Sequence, residues 1–100
     1  MAHKIIWSPE ALRDLEGVFA YIARDSEAIG ARVIEKLLEA VDRLAIYPES
    51  GPRIREWKKS PYRHSVVRPH RIIYRIEGDA VFIIAIVHGA QDLKKLLRKR

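Results

Sequence analysis

Residues 71–88 constrain this chain more than any other stretch. Two runs rich in Ile, Val and aromatic residues flank Gly78-Asp79, a pair suited to the tight turns whose twist matches that of paired strands. The pattern predicts a β-hairpin. In its first strand Ile72, Tyr74 and Ile76 alternate with Arg71, Ile73 and Arg75, so one face is mainly apolar and the other carries two guanidinium groups. The second strand is apolar at every position from Val81 to Val87, as expected of a central strand covered on both faces. It stops at His88-Gly89. A buried strand thus delivers a titratable ring to the sheet rim, beside a strand bearing two arginines.

The upstream half reads as a strand followed by two helices. His3 to Trp7 is a short apolar run suited to an opening strand. Ser8-Pro9-Glu10 then supplies a capping hydroxyl, a proline for the first helical position and an acid against the positive end of the dipole. Leu12, Leu15, Val18 with Phe19, and Ile22 recur at helical spacing through about Ala23. Asp14 and Glu16 lie off that stripe and read as a solvated face rather than a catalytic carboxylate pair. Asp25-Ser26 is a break with capping chemistry. A longer helix follows, apolar at Ile29, Val33, Ile34, Leu37, Leu38, Ala40, Val41, Leu44 and Ala45, and ended by Pro48. The short link predicts an antiparallel helical hairpin, with Gly30 placed to let the two helices approach closely.

Periodicity vanishes between Tyr47 and Pro61, where Arg53, Arg55, Lys58 and Lys59 surround Trp57. Loops of this length are uncommon in compact domains unless they have a task. Tyr62 to Arg68 resumes as a strand, and Pro69-His70 turns it into the hairpin. The tail from Asp92 to Arg100 fits either a short basic helix or a frayed end. This order predicts one α+β domain over residues 1–100: an N-terminal strand and an antiparallel helical hairpin packed on one face of a small, mainly antiparallel four-stranded sheet. The other face is left to the arginine-bearing positions.

Charge is distributed unevenly. Residues 1–52 hold six basic and nine acidic side chains, a balance of −3, while residues 53–100 hold thirteen basic and four acidic ones, a balance of +9. Such asymmetry points to a polyanionic partner, nucleic acid or an acidic protein segment, against the plainer reading of a soluble basic surface. There are no cysteines, so disulfides and thiolate zinc sites are excluded. No stretch is long and apolar enough to span a bilayer, and the N-terminal run is too short for a signal peptide. The expectation is a cytoplasmic protein.

Several segments together resemble the RelE/ParE superfamily, the toxins of bacterial type II toxin–antitoxin systems. Trp7-Ser8-Pro9-Glu10-Ala11-Leu12-Arg13-Asp14-Leu15 is similar to the family's opening, and Tyr21-Ile22 to a pair on its first helix. Leu44 to Gly51 resembles its leucine, proline and glycine turn. His70-Arg71-Ile72-Ile73-Tyr74-Arg75, followed by Ile86-Val87-His88-Gly89-Ala90-Gln91-Asp92-Leu93, carries the rest of the resemblance. It implies a cognate antitoxin as partner and no cofactor. RelE-type members cleave mRNA on the ribosome; ParE-type members poison DNA gyrase and have no established catalytic residues. For a cleaver, the resemblance implies Arg71 as the phosphate-contacting arginine, Arg63 as a second basic residue and His88 as the histidine. The sequence departs from RelE after the last strand, where Gly89-Ala90-Gln91 replaces an arginine-bearing segment and no tyrosine follows. That incomplete acid–base set favours the gyrase-directed branch, with ribosome-dependent mRNA cleavage as the alternative. A basic nucleic-acid-binding module without toxicity is a third class.

The candidate partner-binding or nucleic-acid-binding residues are Arg53, Arg55, Trp57, Lys58, Lys59, Arg71 and Arg75. Arg71 and Arg75 are suited to clamping phosphate, or equally to solvating a sheet face. Trp57 among basic residues is suited to stacking on bases, or to anchoring its loop. His88 could act as a general acid, since imidazole as a group changes charge near physiological pH; a hydrogen-bonded ring at a strand end is the plainer role. His64 and His70 lack a ligand spacing with it, which argues against a metal site. Tyr74 and Phe82 are expected in the core.

Overall fold

A computed structural model describes residues 2–89 and 91–100; Met1, and the Ala90 of the Gly89-Ala90-Gln91 segment, lie outside them. Strand β1 (Lys4–Trp7) leads into helices α1 (Pro9–Ala23) and α2 (Glu27–Ile46), then two 3-10 turns (Pro48–Ser50 and Arg55–Trp57). Strands β2 (Arg63–Val67), β3 (His70–Glu77) and β4 (Ala80–His88) follow, and helix α3 (Leu93–Arg98) ends the chain. The sheet runs β1-β4-β3-β2, with β1 parallel to β4 and the remaining pairs antiparallel. The expected α+β architecture is present.

Local chemistry accounts for the helix boundaries. The Ser8 hydroxyl accepts from the Ala11 amide and the Ser26 hydroxyl from the Ile29 amide, so both caps act as their sequences predict. Gly30 is buried, and a Cβ there would lie 3.3 Å from the Phe19 ring on α1. The close approach of the helices therefore does use the glycine.

The helical hairpin covers one face of the sheet. Ala11, Leu37, Ala40, Val41 and Leu44 pack against Ile72, Tyr74, Val81, Ile83 and Ile86. The opposite face differs from expectation. Instead of being left to arginines, it carries a second core in which Ile54 from the long loop and Leu93 and Leu97 from α3 cover Ile73, Ala85 and Val87. Asp92 caps α3 by accepting from the Lys95 amide. Burying a leucine contributes about 1.5–3 kcal/mol, so two of them hold the tail as a helix rather than a frayed end. This also explains why β4 is apolar at every position: it is central and sandwiched between two cores.

A bulge shifts the β3/β4 register. Ile73 pairs with Ala85 but Tyr74 with Ile83, which leaves Ile84 as the extra residue. β1 ends at this level, so the adjoining edge of β4 needs other partners. The Ser8 amide donates to the Ile83 carbonyl (3.0 Å), and the Ser8 hydroxyl and Arg100 Nη1 donate to that of Ile84 (3.3 and 3.0 Å). Asp14 Oδ2 accepts from the Ile86 amide at 3.0 Å. Asp14 is therefore a structural bracket between α1 and β4, not part of a solvated face.

Candidate functional site around Arg71

Strand alternation sorts the basic residues of the sheet. Arg71 and Arg75 share the face of Ile73, opposite the helices. Arg63 is in register with Tyr74 and His88 with His70. Tyr74 and Ile72 belong to the helix-side core, and His70 has their parity, so Arg63 and His88 lie on the helix side of the sheet. The three residues expected to serve cleavage are thus divided between two faces.

Their partners confirm the division. Arg63 Nη1 donates to the Gly51 carbonyl at 2.8 Å and lies 3.4 Å from that of Glu49, which pins the loop after α2. Tyr74 completes the pin: its hydroxyl accepts from the Gly51 amide (3.0 Å) and donates to the Pro48 carbonyl (2.7 Å). Burial raises the Tyr74 pKa. His88 is exposed, with its ring edge-on to His70 at 5.4 Å. His70 is buried, and its Nδ1 has no hydrogen-bond partner among the described residues. Burial, and then the neighbouring His88, push the His70 pKa down.

Arg71 is the centre of a different cluster. Nη1 and Nη2 make a fork to the Glu56 carboxylate at 2.7 and 3.3 Å, and Nε donates to His64 Nδ1 at 3.0 Å. The Arg71 side chain is only 17% exposed, so it does not solvate a free face. Accepting from an arginine requires a lone pair on Nδ1, so the geometry assigns His64 as neutral with its proton on Nε2. Burial and then the Arg71 charge push the His64 pKa down. The hydrogen bond from Arg71 holds the Glu56 carboxyl below the usual range. The sequence marks neither Glu56 nor His64 as a partner of Arg71; His64 enters there only as a histidine without metal-ligand spacing. Glu56 follows Arg55 in an aperiodic loop, and only the fold brings it beside Arg71.

Two recesses meet at this cluster. Arg55, Glu56, His64 and Arg71 line one of about 320 Å³; His64, Val66, Arg68, Pro69, His70, Arg71 and Gly89 line another of about 410 Å³. The remaining candidates do not converge here. Arg53 Nη1 donates to the Ser60 carbonyl at 3.0 Å, and Arg75 pairs with Glu77 and lies over the Phe82 ring at 4.5 Å. Trp57 is half-buried against the second core, with Tyr62 at 5.9 Å and the Lys94 ammonium over its ring at 5.7 Å. Of its two readings, the anchor is the one this packing satisfies. Lys58 and Lys59 are exposed. Among the described residues no three His, Cys, Asp or Glu side chains are grouped to hold a metal ion, and no helix is long and apolar enough to cross a membrane.

Residues 5–93 match the family described as the ParE toxin of the type II toxin–antitoxin system parDE. The chain belongs to this toxin family. It is 38% identical over 96 residues to the Sinorhizobium fredii protein Y4kP, covering 94% of this chain and 96% of that one. It is 33% identical over 89 residues to toxin RelE2 of Caulobacter vibrioides, covering 88% and 97%. Among solved structures, one from the chromosomal ParDE toxin–antitoxin system of P. aeruginosa superposes with a TM-score of 0.72 at 17% identity, covering 89% of this chain and 98% of that one. That likeness is one of fold. The chain is a RelE/ParE-superfamily toxin of the type II class, and its relatives carry both ParE and RelE names.

Proposed function

We propose that this toxin acts in the ParE manner, binding and poisoning DNA gyrase in the cytoplasm, and that a cognate antitoxin neutralises it. The observation that carries this reading is the division of Arg63, Arg71 and His88 between the two faces of the sheet. General acid–base cleavage requires its groups within hydrogen-bonding reach of one reacting phosphate, and these residues instead hold a loop, a carboxylate and a neighbouring ring. The family match over residues 5–93 supports the same branch. Antitoxin binding is supported by membership of a toxin–antitoxin family and by the charge asymmetry of the chain. An acidic, partly disordered segment that folds on binding would combine charge complementarity with apolar burial.

A second reading has its own observation. Glu56, His64 and Arg71 do converge, and a carboxylate, an imidazole and a guanidinium are the group types that phosphodiester cleavage uses. If the toxin is a ribosome-dependent endonuclease, this cluster is its centre rather than Arg63 and His88. Purified toxin should therefore be compared in a gyrase supercoiling assay and a translating-ribosome mRNA cleavage assay. Gyrase–DNA cleavage complexes with intact mRNA support the first reading; cleaved mRNA with unaffected gyrase overturns it. Co-expression of the adjacent reading frame should relieve growth arrest and give a co-purifying pair. Failure of both would remove the antitoxin from the account.

A further inference from the structure

The start of β3 and the end of β4 bring two imidazoles together at the sheet rim. His70 and His88 lie 18 positions apart in the chain but directly opposite each other in the register. The next pair outward is Pro69 and Gly89, where the Gly89 amide donates to the Pro69 carbonyl at 3.1 Å. Backbone-bonded and unbonded pairs alternate along an antiparallel ladder. His70 and His88 are therefore an unbonded pair, the kind whose side chains stand closest. Spacing along the sequence, which argues against a metal site, does not reveal this cross-strand approach.

His70 is 6% exposed, and its Nδ1 is buried without a hydrogen-bond partner among the described residues. An unpaired buried nitrogen is costly, and a ligand there removes the cost. The two rings are edge-on, with centroids 5.4 Å apart and planes at 79°. Two imidazoles holding one Zn²⁺ at about 2.1 Å in tetrahedral geometry have their centroids roughly 5.3 Å apart. Burial holds His70 in place, while His88 is exposed and can turn a ring nitrogen toward the shared point. No third His, Cys, Asp or Glu is grouped with them among the described residues, so water would fill the remaining positions. Imidazole nitrogens suit zinc, copper and nickel, whereas magnesium and calcium take oxygen ligands.

We propose that His70 Nδ1 and a ring nitrogen of His88 chelate one divalent transition-metal ion of the zinc type, which staples the first residue of β3 to the last of β4. The bound ion stabilises the folded chain by mass action, because the unfolded chain does not hold the two rings together. The inference goes beyond the gyrase reading. Its test measures metal binding rather than toxicity, so either proposal can fail without the other.

Untagged, chelator-treated toxin is titrated with Zn²⁺ by calorimetry and melted with and without the ion. Wild type should take up one Zn²⁺ per chain and its Tm should rise; Mg²⁺ at the same concentration should do neither. His88→Gln, at an exposed position, should weaken Zn²⁺ binding at least tenfold and abolish the rise in Tm. His3→Gln and His64→Asn, at the other two histidines, should leave both unchanged. Long-range ¹H–¹⁵N spectra of the wild-type imidazoles locate the ion without any substitution, and the His70 and His88 nitrogens should shift together. A wild type that ignores Zn²⁺ or responds equally to Mg²⁺ overturns the proposal. So does a His88→Gln protein that binds as tightly as wild type, or a spectrum in which His3 or His64 shifts instead.

Discussion

Asp14 and Arg100, separated by 86 positions, form a two-pronged ion pair at 2.9 and 3.2 Å. The same Asp14 oxygen that accepts Arg100 Nη1 also accepts the Ile86 amide. One carboxylate therefore joins α1, the edge of β4 left open by the short β1, and Arg100, two residues beyond α3. Its side chain is 21% exposed and that of Arg100 is 15% exposed, so solvent screens the pair only partly. Asp14→Ala leaves the Ile86 amide without its acceptor, a loss of about 1–3 kcal/mol. In a domain of this size that lowers Tm by roughly 4–8 °C per kcal/mol. Asp14→Asn can still accept from the amide and should recover part of the loss. A melting curve for Asp14→Ala that overlays the wild type would show that the bracket contributes nothing.

Tyr74 and Gly51 make a second tie, inside the helix-side core. Tyr74→Phe removes the acceptor for the Gly51 amide and the donor to the Pro48 carbonyl, again about 1–3 kcal/mol for the buried amide. Gly51→Ala should cost at least as much by another route. Its Cβ would lie 2.4 Å from the His64 carbonyl oxygen and 2.6 Å from the Tyr74 hydroxyl. Backbone cannot yield as a flexible side chain would, and overpacking typically costs about 1–3 kcal/mol. The double variant should be less destabilised than the sum of the two, because removing the hydroxyl relieves one of the clashes. Urea midpoints for the three proteins test this, and strict additivity would contradict it.

Much of the fold was readable because periodicity and capping are local properties. Ser8, Ser26 and Pro48 bound helices that alternation of apolar and polar residues had already marked, and Gly78-Asp79 sits at the hairpin turn. The second core was not readable, although the uninterrupted apolar run of β4 was its signal. A strand covered on both faces needs a second cover, and Ile54, Leu93 and Leu97 were the apolar residues left without a stripe. The site was less readable still. Arg71 stood out by alternation, but which groups surround it depends on a 3-10 turn and a strand register that no local pattern encodes. Asp14 was misread for the same reason, since its partners are Ile86 and Arg100.

Acidification should loosen the protein in two stages. The His64 and His70 pKa values are lowered by burial, so the unfolded chain binds their protons first and stability falls as pH drops below the ordinary imidazole value of about 6.5. Arg71, Glu56 and Arg55 act on His64, and His88 acts on His70. The Glu56 pKa is also lowered, so its contribution is present above the ordinary carboxyl range and is lost as pH falls through the lowered value. Both signs agree. Urea midpoints at pH 8, 7, 6 and 5 should decline chiefly below pH 7. His64→Asn, whose amide oxygen can replace Nδ1 as acceptor for Arg71, should flatten the decline. A midpoint that rises on acidification, or an undiminished decline in His64→Asn, would contradict this assignment.

His88 separates gyrase poison from ribonuclease most sharply. It is exposed on the helix side of the sheet, edge-on to His70 and on the opposite face from Arg71. Glutamine at this position keeps hydrogen-bonding capacity but cannot exchange a proton near neutral pH. His88→Gln should therefore remain folded, stay toxic within a few-fold of wild type and still trap gyrase on cleaved DNA. A general acid or base contributes on the order of 10²–10⁴ in rate, so a catalytic His88 would show a far larger loss. Arg75→Ala is the companion measurement, because its contacts with Glu77 and the Phe82 ring are local and their removal should cost only about 0.5–1 kcal/mol. Lower toxicity in that folded variant would assign the arginine-bearing face to the target interface, while wild-type toxicity would exclude Arg75. If His88→Gln is folded but loses toxicity by two orders of magnitude, and wild-type toxin cleaves ribosome-bound mRNA, the gyrase reading falls and the endonuclease reading replaces it.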